Sequence, residues 1–147
     1  MRCPCGLGDV YANCCGRFHT GAATAPSADL LMRSRFSAFA VGDAGYLRQT
    51  WHPSTRPRRL NLDRHVRWTR LEIVDRSGGG LFDNEGIVEF KAHHTGGVLH
   101  ERSTFKKVDG RWLYVGATLL TQDRSRTTDV SQSGPPSKSS SPGWRNT

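Results

Sequence analysis

The sequence predicts an α+β fold: an N-terminal cysteine knuckle, then two helices packed on a curved antiparallel sheet in the shape of a cone. Three observations support this prediction. All four cysteines lie within the first 15 residues. Two segments with helical apolar spacing follow, and four alternating apolar and polar segments separated by turn residues come after them. Helices first and strands afterwards, in a chain of 147 residues, are typical of one α+β domain with small attachments.

The cysteines form two pairs, Cys3-x-Cys5 and Cys14-Cys15, with eight residues between the pairs. Zinc takes four tetrahedral ligands and favours thiolates. The glycines and the proline around the first pair favour the tight turns that such a knuckle needs. We therefore predict one structural zinc ion, bound by all four cysteines and without an open position for a catalytic water.

Two alternatives to this ligand set stay open. His19 lies four residues after Cys15 and could replace one cysteine, although a surface or capping histidine is the simpler interpretation. The cysteines could also form disulfide bonds or serve a redox role. However, the sequence shows no apolar targeting segment and no apolar stretch of membrane-spanning length. We therefore expect a cytoplasmic protein, in which reduced thiols favour metal.

Each predicted helix has a capping residue at its start. Ser27 is the predicted N-cap of a helix that runs to about Val41 and ends at Gly42. Asp43 is the predicted cap of a second, shorter helix, which Pro53 prevents from continuing.

Four strands follow the helices. Turn residues separate them, and Asp109-Gly110 is the strongest hairpin signal in the chain. The predicted strands cover residues 68–76, 86–95, 98–108 and 111–120.

The chain is predicted to divide into three parts. The knuckle covers residues 1–21, and the cone domain covers residues 22–120. Residues 121–147 are rich in serine and proline and nearly free of apolar side chains, so they are predicted to be a disordered tail.

A buried ion pair is predicted inside the cone. Strand alternation places Glu101 between Leu99 and Phe105 on an apolar face, and Arg35 lies on the apolar stripe of the first helix. A buried carboxylate needs a cation or acquires a raised pKa. We interpret Arg35 and Glu101 as a structural pair that fixes the helix on the sheet, and as pocket residues in the alternative interpretation.

No catalytic residue can be assigned from the sequence. Side chains that could move a proton in the cone are present, but no spacing selects a pair among them. These candidates are Asp43, Tyr46, His52, His94 and Glu101. Phosphate-binding glycine loops, serine nucleophile elbows and dinucleotide fingerprints are absent from the sequence.

The chain is basic, with a formal net charge of +8 at pH 7. Arginines concentrate between the helices and the sheet. The basic patch consists of Arg56, Arg58, Arg59, Arg64 and Arg67. Such a patch could bind RNA phosphates or an anionic surface weakly, and a solvated loop is the simpler interpretation.

Three motifs resemble those of a known bacterial family. The pattern C-x-C-x8-C-C from Cys3, with its interspersed glycines and Tyr11, resembles the SEC-C motif, a zinc knuckle also found at the C-terminus of the translocation ATPase SecA. The run L-M-R-S-R-F-S-A-F at residues 31–39 resembles the helix signature of the YchJ family. The runs E-R-S-x-F from Glu101 and G-R-W-x-Y from Gly110 resemble its strand signature. Leu7 departs from the SEC-C pattern, which usually has serine there.

The resemblance implies a zinc-binding protein with a nuclear-transport-factor-2-like (NTF2-like) domain and no established activity. It also implies, loosely, that the knuckle contacts a protein partner, as the SecA knuckle is thought to do. We therefore expect a binding or adaptor module whose cone holds a peptide or small molecule. The alternatives are an enzyme that uses the cone pocket and a nucleic-acid-binding protein that uses the basic patch.

Overall fold

The computed structural model describes residues 1–63 and 65–124. The described residues confirm the α+β class, with helices preceding a four-stranded antiparallel sheet. Among them, no helix has the length and apolar character needed to cross a membrane. The elements are a 3-10 helix (Tyr11–Asn13), α1 (Cys15–His19), α2 (Ala28–Val41), α3 (Ala44–Gln49), β1 (Trp68–Gly78), β2 (Glu85–His94), β3 (Gly97–Val108) and β4 (Arg111–Arg124).

The capping residues named from the sequence define α2 and α3. Ser27 Oγ accepts the Leu30 N–H at 3.3 Å, and α2 begins at Ala28, directly after this cap. Gly42, with φ of 82°, takes the left-handed conformation that ends α2. Asp43 Oδ1 then accepts the Tyr46 N–H at 3.0 Å and caps α3.

The sheet is a meander in the order β1-β2-β3-β4. Register shifts interrupt the β1–β2 pairing twice and the β3–β4 pairing twice, once beside Glu101. Such bulges bend and twist strands, which suits a sheet that curves around a helix. Accordingly, α2 packs against β1, β2 and β4.

Alternation along the strands defines the inner face of the cone. On β3 the inner residues are Leu99, Glu101, Ser103 and Phe105, all of them buried. On β2 the buried residues are Val88, Phe90 and Ala92. The predicted period of two is therefore observed in both strands, and Glu101 lies on the apolar face.

The last strand is longer than predicted. β4 continues to Arg124, and residues 121–124 pair with residues 97–100 of β3. Because residues 121–124 are polar, the sequence predicts that they begin the tail. Strand pairing, however, uses backbone groups and requires no apolar side chains at these positions. The remainder of the predicted tail, residues 125–147 with Trp144, lies outside the described residues.

The chain after α3 covers part of the edge of β4. Trp51 forms a parallel bridge with Tyr114. The Tyr114 N–H donates to Thr50 O at 2.8 Å, and the His52 N–H donates to Tyr114 O at 2.7 Å. These bonds satisfy edge groups of the sheet and attach the end of α3 to it.

Two glycines let the β1–β2 hairpin close on the start of α2. The Ala28 N–H donates to Gly79 O at 2.9 Å. A Cβ on Gly86 would lie 2.6 Å from Gly79 Cα and 3.1 Å from Ala28 Cβ. Backbone therefore meets backbone at this point, which only glycine permits.

We expect Gly86→Ala to lower the free energy of unfolding by about 1–3 kcal/mol, because the added methyl overpacks the contact with Gly79. Chemical denaturation measures this change. Gly116→Ala is the matched control, since a Cβ there meets no atom within 4 Å. Equal stability of the two variants would contradict the close contact.

Candidate metal centre

The first cysteine pair lies on a closed loop. A β-bridge between Arg2 and Val10 joins the two ends of this loop. Within it, Gly6 and Gly8 have φ of 86° and 102°. These values are strained for residues with a Cβ, so the glycines of the motif set the path that the loop takes between its ends.

The second pair lies where the 3-10 helix passes into α1, and Gly16 makes this junction possible. A Cβ on Gly16 would lie 2.7 Å from Tyr11 O and 3.1 Å from the Tyr11 ring. Glycine directly after the second pair therefore lets α1 begin against the preceding turn.

The four sulfur atoms converge on one point. The Sγ atoms of Cys3, Cys5, Cys14 and Cys15 all lie within 4.8 Å of one another, and those of Cys5 and Cys14 are 3.5 Å apart. All four are free thiols and buried. A tetrahedral zinc ion with Zn–S bonds of about 2.3 Å would separate its sulfur ligands by roughly 3.8 Å. The cluster therefore has the donors and the spacing to hold one metal ion.

Close contact among the thiols sets their protonation. A hydrogen bond with Cys15 lowers the pKa of Cys5 to about 5. Burial raises the pKa of Cys14 to about 12. The hydrogen bond to Cys5, together with burial, also raises the pKa of Cys15. A metal cation that recruits all four thiolates must therefore displace the protons of Cys14 and Cys15.

The cluster is attached to α2 by three contacts. Cys3 Sγ lies 3.5 Å from Ser37 Oγ, and Cys15 Sγ lies 3.7 Å from Arg33 O. In the opposite direction, Arg33 Nη1 donates to Cys5 O at 2.9 Å. The knuckle therefore packs directly on the cone, a point that the sequence left open.

His19 is not a surface residue. Its side chain is buried between the knuckle and the cone and contacts both. Its side chain is 3% exposed. Nε2 lies 2.8 Å from Ser34 O, and Nδ1 lies 2.5 Å from Tyr11 Oη. Because a carbonyl can only accept, Nε2 carries a proton and donates it to Ser34 O, and in the neutral ring Nδ1 then accepts from the Tyr11 hydroxyl. His19 is also outside the group of side chains placed to hold a metal.

Two of the acid/base candidates, Tyr46 and Asp43, lie beside His19 at this contact between knuckle and cone. Tyr46 Oη lies 2.7 Å from Ser34 Oγ, and its ring centroid is 4.5 Å from that of His19. Burial raises the pKa of Tyr46. Asp43 Oδ2 lies 4.0 Å from His19 Nδ1, while its other oxygen caps α3. Each side chain thus has a structural role.

The other two histidine candidates bond to nearby turns. His52 Nδ1 accepts the Ser54 N–H at 3.0 Å. His94 Nδ1 accepts the Gly96 N–H at 3.0 Å, and its ring packs 5.0 Å from that of Trp68.

Arg35 is buried as the sequence suggests, but its contacts differ from those predicted. Nη1 donates to Leu47 O at 2.8 Å and to Thr50 Oγ1 at 2.7 Å. Glu101 is fully buried on β3. Among the described residues (1–63 and 65–124), the ion pairs do not include one between Arg35 and Glu101. The predicted pairing of these two side chains is therefore wrong.

Aromatic faces and neutral oxygens surround the Arg35 charge. Its guanidinium carbon lies 5.1 Å from the Trp51 ring centroid and 4.4 Å from that of Tyr114. Burial lowers the pKa of Arg35 to about 10, so the side chain stays charged at neutral pH. Cation–π contacts and hydrogen bonds take the place of the expected carboxylate.

The basic patch is only partly free for binding. Arg56 is half-buried and donates through Nε and Nη2 to Trp51 O at 3.1 and 2.8 Å. Arg64 lies outside the described residues. The exposed members are Arg58, Arg59 and Arg67.

Both parts of the chain match known family models. Residues 2–17 match the SEC-C motif, and residues 27–117 match the model described as YchJ, middle NTF2-like domain. A UPF0225 protein from Streptomyces coelicolor is 56% identical over 118 residues, which cover 80% of this chain and 95% of the relative. A UPF0225 protein from Chromobacterium violaceum is 50% identical over 125 residues, which cover 80% of this chain and 92% of the relative.

Two solved structures of SEC-C motif-containing proteins share the fold. The solution structure of one from Rhodopseudomonas palustris has a TM-score of 0.69 and 32% identity, and covers 82% of this chain and 100% of that chain. The crystal structure of one from Psychrobacter arcticus has a TM-score of 0.64 and 25% identity, with coverage of 98% and 90%.

We expect His19→Ala to lower the free energy of unfolding by about 1–3 kcal/mol, because Tyr11 and Ser34 lose a buried hydrogen-bonding partner. The metal content should not change, since His19 connects the knuckle to the cone and is not a metal ligand. Chemical denaturation and elemental analysis measure the two effects. His65→Ala, at an exposed position, is the control. A folded His19→Ala protein that has lost its metal would show that the histidine is a ligand.

Proposed function

The chain belongs to the YchJ (UPF0225) family, and we propose on this basis that it is a zinc-binding adaptor protein. One structural zinc ion holds the knuckle together, the knuckle contacts a protein partner, and the cone holds a peptide or small molecule. The observation that carries the proposal is the buried cluster of four cysteine thiols attached to α2.

The donor set supports zinc in a structural role. Four thiolates in a tetrahedral arrangement are typical of structural zinc, whereas catalytic zinc keeps one position for water or substrate. When bound, the ion would balance the negative charge of the thiolates. It would also tie the loop that carries Cys3 and Cys5 to the start of α1. A site of reduced thiols further supports a location in the cytoplasm.

An exposed apolar surface on the knuckle supports a protein partner. Met1 is 75% exposed, Leu7 50% and Val10 48%. The Tyr11 N–H donates to Met1 O at 2.8 Å, which holds both ends of this loop together. These three large apolar side chains are exposed on one small structured loop, and exposed apolar surface of this kind is a feature of contact sites where it is contiguous. Leu7 in place of the usual serine of the motif adds to this apolar surface.

We expect the purified full-length chain to bind one zinc ion and to release at least two protons per ion at pH 7, because the pKa values of Cys14 and Cys15 are raised. Protons compete with the metal for these thiolates, so the affinity should fall as the pH is lowered. Native mass spectrometry gives the stoichiometry. Calorimetry in two buffers of different ionisation enthalpy gives the proton count.

Cys14→Ser should lose the zinc, since it removes one of four ligands. The exposed neighbour Asn13 provides the control, because Asn13→Ser leaves every thiol in place. A wild-type chain that carries oxidised cysteines instead of metal, visible as a lower mass, would overturn the proposal.

The exposure of Arg58 and Arg59 favours a second candidate function, weak binding of nucleic acid. We expect a 20-nucleotide oligouridine to bind with a dissociation constant no tighter than about 1 μM at physiological salt, and less tightly as salt increases. Fluorescence anisotropy measures this binding. The double variant Arg58→Gln/Arg59→Gln should weaken it, whereas Arg76→Gln/Arg102→Gln, at positions held in ion pairs, should not. Equal effects of the two double variants would exclude a role for the patch.

A further inference from the structure

A cavity of about 220 Å³ lies where the knuckle and the cone meet, beside the linker between α1 and α2 (residues 20–27). Each part of the protein contributes to its wall. Phe18 comes from α1, Leu31 from α2, Tyr46 from α3 and Trp112 from β4. The linker completes it through Gly21, Ala23, Thr24 and Ala25. None of these residues is a cysteine of the metal cluster.

The wall of the cavity is mixed, because buried apolar side chains alternate with the polar Thr24, Gln49 and Thr50, and its size is limited. The four side chains from α1, α2, α3 and β4 are all buried and belong to the main core. A volume of about 220 Å³ is what roughly seven water molecules occupy in liquid water. This volume is below the range of drug-sized pockets. It suits a small molecule with one apolar group.

The polar groups of the cavity favour a negatively charged ligand. No aspartate or glutamate lines it, and Arg111 is an exposed lining residue without an ion-pair partner among the described residues. Charge complementarity therefore favours an anionic group held by Arg111.

Trp112 gives an independent indication that an acceptor is missing. It lines the cavity and is 2% exposed. Its indole N–H has no hydrogen-bond acceptor in the part of the chain that the structure describes. Buried donors nearly always have a partner, and because this nitrogen is inaccessible to water in the structure, a ligand oxygen becomes its acceptor only with a small shift of the cavity wall.

From these observations we infer that the cavity is a binding site for a small molecule with an apolar body and a carboxylate. The apolar group fills the space among Phe18, Leu31 and Tyr46, and the carboxylate lies toward Arg111 and the Trp112 indole. This inference deepens the proposed function, because it names the site and the ligand class of the binding module. It places the ligand between knuckle and cone, so that both are needed to form the wall.

The test uses 4-phenylbutyrate as the probe and 4-phenylbutan-1-ol as its uncharged match, each titrated into ¹⁵N-labelled, zinc-loaded full-length protein. We expect saturable NMR shifts of the Trp112 indole N–H and of the amides of Leu31 and Leu113. Arg111→Gln should weaken binding of the carboxylate by about fivefold, which is the upper end for an exposed ion pair, and leave the alcohol unchanged. Arg48→Gln is the control, because Arg48 is exposed on α3 and does not line the cavity.

Thr24→Trp should block binding of both probes, because Thr24 is an exposed lining residue whose enlargement fills the cavity. Ala23→Phe serves the same purpose if the first variant does not fold. Absence of saturable shifts at the lining residues, or binding that both filling variants leave intact, would overturn the site. Equal effects of Arg111→Gln and Arg48→Gln would overturn the carboxylate assignment. Native mass spectrometry of each sample separates these outcomes from failure of the zinc proposal, which would appear as missing metal.

Discussion

The turn of α2 from Arg33 to Ser37 connects the two halves of this protein, and the rest of the structure depends on it. On one side, Arg33 O, Ser34 O and Ser37 Oγ meet Cys15, His19 and Cys3. On the other side, the Arg35 guanidinium reaches the end of α3 and the ring of Tyr114 on β4. Successive helical residues point about 100° apart, so these few residues can contact knuckle, second helix and sheet at once.

This position explains the composition of α2. Ser34, Arg35 and Ser37 are buried together with Leu31 and Phe36, so the helix is enclosed on nearly all sides. A helix buried in this way usually carries apolar residues all round. Here the hydroxyl of Ser34 meets Tyr46 on α3, and the hydroxyl of Ser37 meets the cysteine cluster, where a larger side chain would push the knuckle away. Polar residues therefore sit inside the molecule because each has a specific partner there.

Much of this arrangement follows from the sequence because its signals are local. Cysteine spacing identifies the cluster, Ser27 and Asp43 identify the helix starts, and alternation identifies the inner strand faces. The partners of Arg35 could not be predicted in the same way. Backbone carbonyls and aromatic rings occur throughout any chain and leave no spacing pattern, whereas a buried glutamate invites pairing with a buried arginine.

His19 and the end of β4 could not be predicted for related reasons. A histidine close to cysteines suggests a ligand or a surface residue, and only the fold reveals that Ser34 lies opposite its ring. Residues 121–124 pair through their backbones with residues 97–100, so their polar side chains carry no strand signal. Tertiary context decides both cases.

The contacts between the knuckle and α2 also have a kinetic consequence. They join residues 15 to 34 positions apart in the chain. By contrast, the contact of Ala28 with Gly79 closes a considerably longer loop. The entropy cost of closing a loop rises with its length, and short-range contacts form faster. The contacts that attach the knuckle to α2 therefore close shorter loops than the contact that joins the start of α2 to the β1–β2 hairpin, and we expect them to form earlier in folding.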